Sequence, residues 1–242
     1  MRRYLILGPI WTHRSGGVVA LYHLQRALIR EGYDCVYYAF GHEKGAQLET
    51  NDQDIVIYPE VVSGNPLGAK HVVRWLLNTP KLLGGDGIFE ATDMLFNYLP
   101  SIQWPGVLAQ LFVSSIDETI TNLGYDRDRN YAWVYKGWRK PRIPLDAIEL
   151  VGPQVKPYLA RSQVLTTKQS LLDSLQHCKT LYTYDDKTAL AFEARLSGCE
   201  VLLIEHSGKM VPYPFHSIPD AEESRRLLLG FIKITQERAR SV

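Results

Sequence analysis

Apolar residues fall into short dense runs separated by polar, glycine- and proline-bearing stretches, and the runs alternate between two periods. Tyr4 to Gly8 is continuously apolar between Arg2-Arg3 and Pro9, the pattern of a strand buried on both faces. A loop follows and ends in Ser15-Gly16-Gly17. Val18, Leu21, Leu24, Leu28 and Ile29 then recur at three- and four-residue spacing, which predicts a helix that Gly32 stops. Cys35 to Phe40 is the next apolar strand. Two strands joined through a helix imply a parallel sheet, because parallel neighbours need a long crossover. Ile55 to Tyr58, Val72 to Leu77 and Val107 to Val113 continue the series, with loops rich in Gly and Pro between them.

The second half repeats this grammar. Strands are expected at Tyr131 to Tyr135, Ile148 to Val151, Leu181 to Tyr184 and Val201 to Ile204, with helices at Ser170 to Leu175 and Ala189 to Ser197. The polar stretch Ser114 to Asn130 separates the halves. The pattern therefore predicts two α/β domains, 1–122 and 123–242, each at the small end for the class.

Composition narrows the function. Hydrophobic content of 45% with 22% charged residues supports an ordinary packed core, and a net charge of +1 argues against a bulk nucleic-acid binder. The three cysteines, Cys35, Cys178 and Cys199, are odd in number and widely spaced, so they read as reduced thiols. The apolar run after Met1-Arg2-Arg3 stops at Gly8-Pro9, too soon for a signal peptide, and no segment reaches the ~20 apolar residues of a membrane span. The expected location is the cytoplasm, with contact at the inner face of a membrane at most peripheral.

Candidate chemistry concentrates between Leu181 and Ile204. A strand runs into the acidic loop Asp185-Asp186-Lys187, Thr188 is placed to N-cap the next helix, and Gly198 to end it. Positions 189 to 192, 194 and 196 are apolar, and Glu193 shares a face with Ala189, Leu190 and Leu196. A carboxylate on a buried face needs a partner. Hydroxyl groups of a ligand or a neighbouring Arg or Lys would serve equally.

Asp185 and Glu193 have seven residues between them. This spacing resembles the E-x7-E element of retaining glycosyltransferases of the GT-B fold, with Asp in the first place. Ala194 to Ile204, with Gly198-Cys199 before an apolar strand, is similar to the continuation EA-x-x-x-G-x-P-V, with Glu200 where Pro is usual. The resemblance implies two Rossmann-like parallel-sheet domains facing a cleft, the first on the acceptor side and the second binding a nucleotide-sugar. It implies that Glu193 binds the nucleotide ribose and that Asp185 lies near the donor sugar, where Asp186 could substitute. Lys187 and Thr188 join them on the donor side.

Two further elements fit that scheme. Tyr131 to Lys140 resembles the strand and Gly-Arg turn that opens the family's second domain, with Trp138 standing between Gly137 and Arg139. Adjacent Arg139 and Lys140 can neutralise a pyrophosphate; a solvated basic turn would look the same. Gly16-Gly17 lets a backbone approach donor phosphates at a helix N-terminus. His13, in the same loop, is the candidate general base if transfer inverts the anomeric centre.

Asp126-Arg127-Asp128 matches the metal-binding D-x-D of GT-A enzymes but lies in the polar linker, and reads as a solvated charge run. No His spacing suggests a metal site. The expectation is thus a metal-independent transferase without a cofactor, moving sugar from a nucleoside-diphosphate donor to a glycan or lipid-linked acceptor. A degenerate homologue that only binds the nucleotide-sugar is the alternative from another class.

Overall fold

The structure is a computed structural model and describes residues 1–12, 15–40, 50–116, 120–127, 129–133, 155–158, 168–186, 188–205, 207–215 and 218–241. The chain forms two compact units, Met1–Ser115 with Ile218–Val242, and Ile116–Ser217. The division falls at 115/116, close to the cut at 122/123 expected from the polar stretch. The C-terminal segment, however, belongs to the first unit, where a long helix packs on the sheet.

The first unit is built on strands β1 (Tyr4–Gly8), β2 (Cys35–Ala39), β3 (Ile55–Pro59), β4 (His71–Leu76), β5 (Met94–Asn97) and β6 (Val107–Gln110). They pair in parallel in the order β2-β1-β3-β4-β5-β6. Every residue of β1, β3 and β4 is buried, as the unbroken apolar runs of β1 and β3 require; β4 buries His71 and Arg74 among its apolar residues.

Helix α1 (Gly16–Arg30) covers one face. Val18, Leu21, Leu24 and Leu28 are buried, while Ile29, counted into the apolar stripe from its spacing, is half exposed. Helix α4 (Ala221–Arg240) lies on the same face. Phe231 packs against Tyr4 and Phe96, at centroid distances of 5.9 and 4.8 Å. Tyr4 Oη and Thr235 Oγ1 share a hydrogen bond of 2.7 Å, and the Gln236 amide brackets the Arg2 backbone. These contacts bring the C-terminus back to β1.

The connections from β3 to β4 and from β4 to β5 contain no helix, and their loops cover the other face instead. Val62, Leu67 and Ala69 pack there on Leu5, Leu7, Val56 and Tyr58. Arg74 fastens this layer. Its Nε donates to Asp93 Oδ2 at 2.7 Å, Nη1 to Val62 O and Nη2 to Gly64 O, and its guanidinium lies over the rings of Tyr58 and Phe89. An Arg buried to 1% exposure is tolerable because its charge is paired and its donors are satisfied.

The second unit holds β7 (Arg129–Trp133), β8 (Val155–Tyr158), α2 (Lys168–Gln176), β9 (Cys178–Thr183), α3 (Ala189–Leu196), β10 (Glu200–Ile204) and β11 (Met210–Pro212). The sheet order is β11-β10-β9-β7-β8. The β10–β9, β9–β7 and β7–β8 pairs are parallel, but β11 runs antiparallel at the edge, so this sheet is mixed where a parallel one was expected. The short turn at 205–209 returns the chain beside β10 and leaves no room for a crossover helix. The strand expected at Ile148 to Val151 lies outside the described residues.

Arg127 gives a second correction. It was expected in a solvated charge run, yet its guanidinium donates to the carbonyls of Leu175 at 3.1 Å, Cys178 at 2.8 Å and Ser197, and to Asn122 Oδ1 at 2.8 Å. It ties the end of α2, the start of β9 and the end of α3 into one knot. Asp128 lies outside the described residues.

Candidate functional site

Each sheet has one point where the strand order reverses. In the first unit β2 and β3 lie on opposite sides of β1; in the second β8 and β9 lie on opposite sides of β7. In α/β sheets the crevice at the carboxyl ends of the strands at such a point is where ligands bind; the connection that leaves β7 lies outside the described residues.

At the first such point the chain leaves β1 and enters α1. Ser15 is the N-cap and its hydroxyl accepts from the Val18 N–H, so Gly16 and Gly17 are the first two helical residues. The first turn of α1 carries no acidic residue, which leaves the positive end of the helix dipole uncompensated within the helix. Beside it, Glu60 follows the last residue of β3. It is 3% exposed, and Oε2 accepts from the Leu77 N–H at 2.9 Å. Leu77 in turn reaches Gly17: a Cβ at Gly17 would lie 3.5 Å from Leu77 Cδ1. Burial raises the Glu60 pKa to about 7 against the partial relief of backbone N–H donors, among them Leu77 and Asn78. His13 lies outside the described residues.

Beside β7, the reversal strand of the second sheet, β9 ends at Thr183. The Asp185 N–H donates to Thr183 Oγ1 at 3.1 Å, which turns the chain sharply. Asp185 is half-buried and Asp186 exposed. Thr188 then N-caps α3, its hydroxyl accepting from the Leu190 N–H at 3.3 Å. On α3 the buried residues are Leu190, Ala191, Glu193 and Ala194. Glu193 therefore lies on the buried face, as its pattern predicts, and it takes part in an interaction within the chain, as does Asp185. Leu196, expected on that face, is instead 42% exposed at the last turn.

Thus Asp185, Asp186, Thr188 and Glu193 share one strand-turn-helix element of the second unit, and Gly16 and Gly17 share the corresponding element of the first. Lys187, Arg139 and Lys140 lie outside the described residues. Two groups escaped the sequence reading. Glu60 carries no motif, and only its place directly after an apolar strand marks it. Tyr213 follows β11, an element with no periodic signal, and lies near Asp185, Asp186 and the Thr188 backbone.

Chemically the two elements differ. The first offers backbone N–H groups at a helix N-terminus and a titratable carboxyl; the second offers carboxylate acceptors around an N-cap. Among the described residues no group of three or more His, Cys, Asp or Glu is placed to hold a metal ion, and no helix is long and apolar enough to cross a membrane. No family model and no curated protein matches the chain.

Proposed function

We propose that the protein is a glycosyltransferase of the GT-B type, which moves a sugar from a nucleoside-diphosphate donor to a glycan or lipid-linked acceptor with retention. The observation that carries the reading is the position of Asp185 and Glu193. The pair that resembles the family's acidic element lies on the turn and helix that follow β9, the strand beside β7 where the second sheet reverses its order, and Glu193 is buried there. In this reading Glu193 takes the ribose and Asp185 or Asp186 the donor sugar, while Arg139 and Lys140 offset the charge on the departing diphosphate. Gly16 and Gly17 turn helix amides toward the phosphates.

One observation favours a second reading, inversion. Glu60, a carboxyl with a pKa raised to about 7, stands at the carboxyl edge of the first sheet. A group near neutrality suits proton abstraction from an acceptor hydroxyl, a role that falls to Glu60 or His13. The anomeric configuration of the product decides between the two.

A thermal-shift panel tests the class. Pairs such as UDP and UDP-glucose, GDP and GDP-mannose, and dTDP and dTDP-glucose are the probes. A ligand at one hundred times its dissociation constant adds about 2.7 kcal/mol of stability. A melting temperature indifferent to every nucleotide-sugar would overturn the reading.

A further inference from the structure

Among the described residues two buried side-chain polar atoms have no hydrogen-bond partner, Ser197 Oγ and Tyr213 Oη. Ser197 ends α3, where its own carbonyl is held by Arg127. Tyr213 has no comparable explanation. It is 4% exposed, and a hydroxyl buried without a partner is destabilising. Folded proteins leave few such groups.

The chain holds Tyr213 firmly. Its N–H donates to Val201 O at 3.1 Å, which fixes the residue beside β10. Its ring meets Phe192 edge-on at 6.3 Å and packs on Phe215 at 4.9 Å. The hydroxyl lies near Asp185, Asp186 and the Thr188 backbone. Burial first, then the charges of Asp185 and Asp186, push the Tyr213 pKa upward, so it remains a protonated donor at neutral pH. The Thr188 N–H approaches it without meeting hydrogen-bond geometry.

The groups around this N-terminus select the ligand's chemistry. A phosphate would face Asp185 and Asp186 and be repelled. A hydroxyl can accept a hydrogen bond from Tyr213 and donate one to a carboxylate, so a polyhydroxylic sugar ring satisfies donor and acceptors together. Exposed Asp186 and half-buried Asp185 and Thr188 mark the approach from solvent.

Building on the proposed glycosyl transfer, we infer that Tyr213 is a binding residue for the sugar ring of the donor, and that its hydroxyl helps the second unit distinguish a nucleotide-sugar from the bare nucleoside diphosphate.

Tyr213→Phe removes one oxygen and keeps the ring. The variant and wild type are compared for ligand-free melting temperature and, by calorimetric titration, for affinity toward each nucleotide-sugar and its nucleoside diphosphate. The expected result is an unchanged or higher melting temperature, about tenfold weaker nucleotide-sugar binding, and unchanged nucleoside-diphosphate binding. A lower melting temperature with both affinities intact means that the hydroxyl serves the fold through an internal water or a protein group, and overturns the inference. Equal losses for both ligands overturn the sugar assignment. Wild-type protein that binds no nucleotide-sugar overturns the transferase reading itself. Wild-type binding with undiminished discrimination in the variant overturns only the role of Tyr213.

Discussion

Each unit builds a strand, a turn and a helix N-terminus, after the reversal strand β1 in the first sheet and after β9, beside the reversal strand β7, in the second, and the two versions are chemically opposite. In the first unit the turn after β1 delivers Ser15, Gly16 and Gly17, with no acid in the first helical turn. In the second the turn after β9 delivers Asp185, Asp186 and Thr188, with no glycine. A helix N-terminus alone favours anions. The first element keeps that preference, whereas two carboxylates cancel it in the second and leave acceptors for hydroxyl groups. The same backbone device thus suits an anion in one unit and hydroxyl groups in the other.

The helices after these turns also end alike, and here the comparison can be broken by mutation. In α1 the Gly32 N–H donates to Ile29 O and the Tyr33 N–H to Leu28 O; in α3 the Gly198 N–H donates to Arg195 O and the Cys199 N–H to Ala194 O. Both are Schellman endings with a left-handed glycine, at φ 84° and 92°. Alanine at either position costs about 1 kcal/mol from backbone strain. At Gly32 nothing lies within 4 Å of the added Cβ, but at Gly198 it would meet Asn122 at 2.6 Å and Arg127 Nη2 at 2.7 Å. Crowding the Arg127 knot adds overpacking strain, so Gly198→Ala is expected to lose about 4 kcal/mol and Gly32→Ala about 1. Denaturant titration of both variants checks this, and equal losses would show that the knot yields freely.

The next largest effect concerns Glu60, one of the buried carboxyls. The Glu60 pKa rises from an ordinary 4.5 to about 7, mainly because burial disfavours the charged form. Between those values the folded protein holds a proton that the unfolded chain releases, so this contribution to stability is complete below pH 4.5 and is lost as pH rises through 7. The loss amounts to about 3 kcal/mol. Glu60→Gln cannot ionise and should flatten that decline, so that the variant is the more stable protein at pH 8. Urea unfolding at pH 5 and pH 8 measures it. A variant with the wild-type slope would place the titration elsewhere.

What the sequence disclosed follows the same contrast. Elements that carry their own periodicity and stops were legible: β1, α1 up to Gly32, β3, β4, and the run from β9 through Thr188, α3 and Gly198 to β10. Elements defined by their partners were not. β5 is four residues long, and β11 is three residues whose strand character comes from pairing with β10. Helix α4 did carry local signals, the N-cap Asp220 and the first-turn acids Glu222 and Glu223. Its return to β1 depends on Tyr4, Phe96 and Phe231 meeting across the chain, which no local pattern encodes. Glu193 was visible because a charge interrupted an apolar helix. Glu60 was invisible because a carboxyl after a strand looks like the start of any loop, and only the fold buries it. Arg127 misled for the converse reason: its neighbours Asp126 and Asp128 make it look solvated, while the carbonyls that bind it come from three distant segments.

The last and smallest effect tests Glu193 and sets it against Tyr213. Glu193 is buried on α3, is engaged within the chain, and occupies the position that the family resemblance gives to ribose binding. Gln at this position keeps the shape and one acceptor oxygen but removes the charge. If the ribose hydroxyls bind this carboxylate, donor affinity should fall by about 1.5–3 kcal/mol, the range for a hydrogen bond to a charged group. The loss should be the same for a nucleotide-sugar and its nucleoside diphosphate, since both carry the ribose. That equality separates Glu193 from Tyr213, whose substitution should spare the nucleoside diphosphate. The melting temperature of Glu193→Gln should move less than its affinity does. A purely structural carboxylate gives the reverse, with the fold weakened and titrations with both ligands unchanged. Calorimetry and thermal unfolding on one preparation distinguish the outcomes, and intact nucleotide binding in a destabilised variant would remove Glu193 from the donor site.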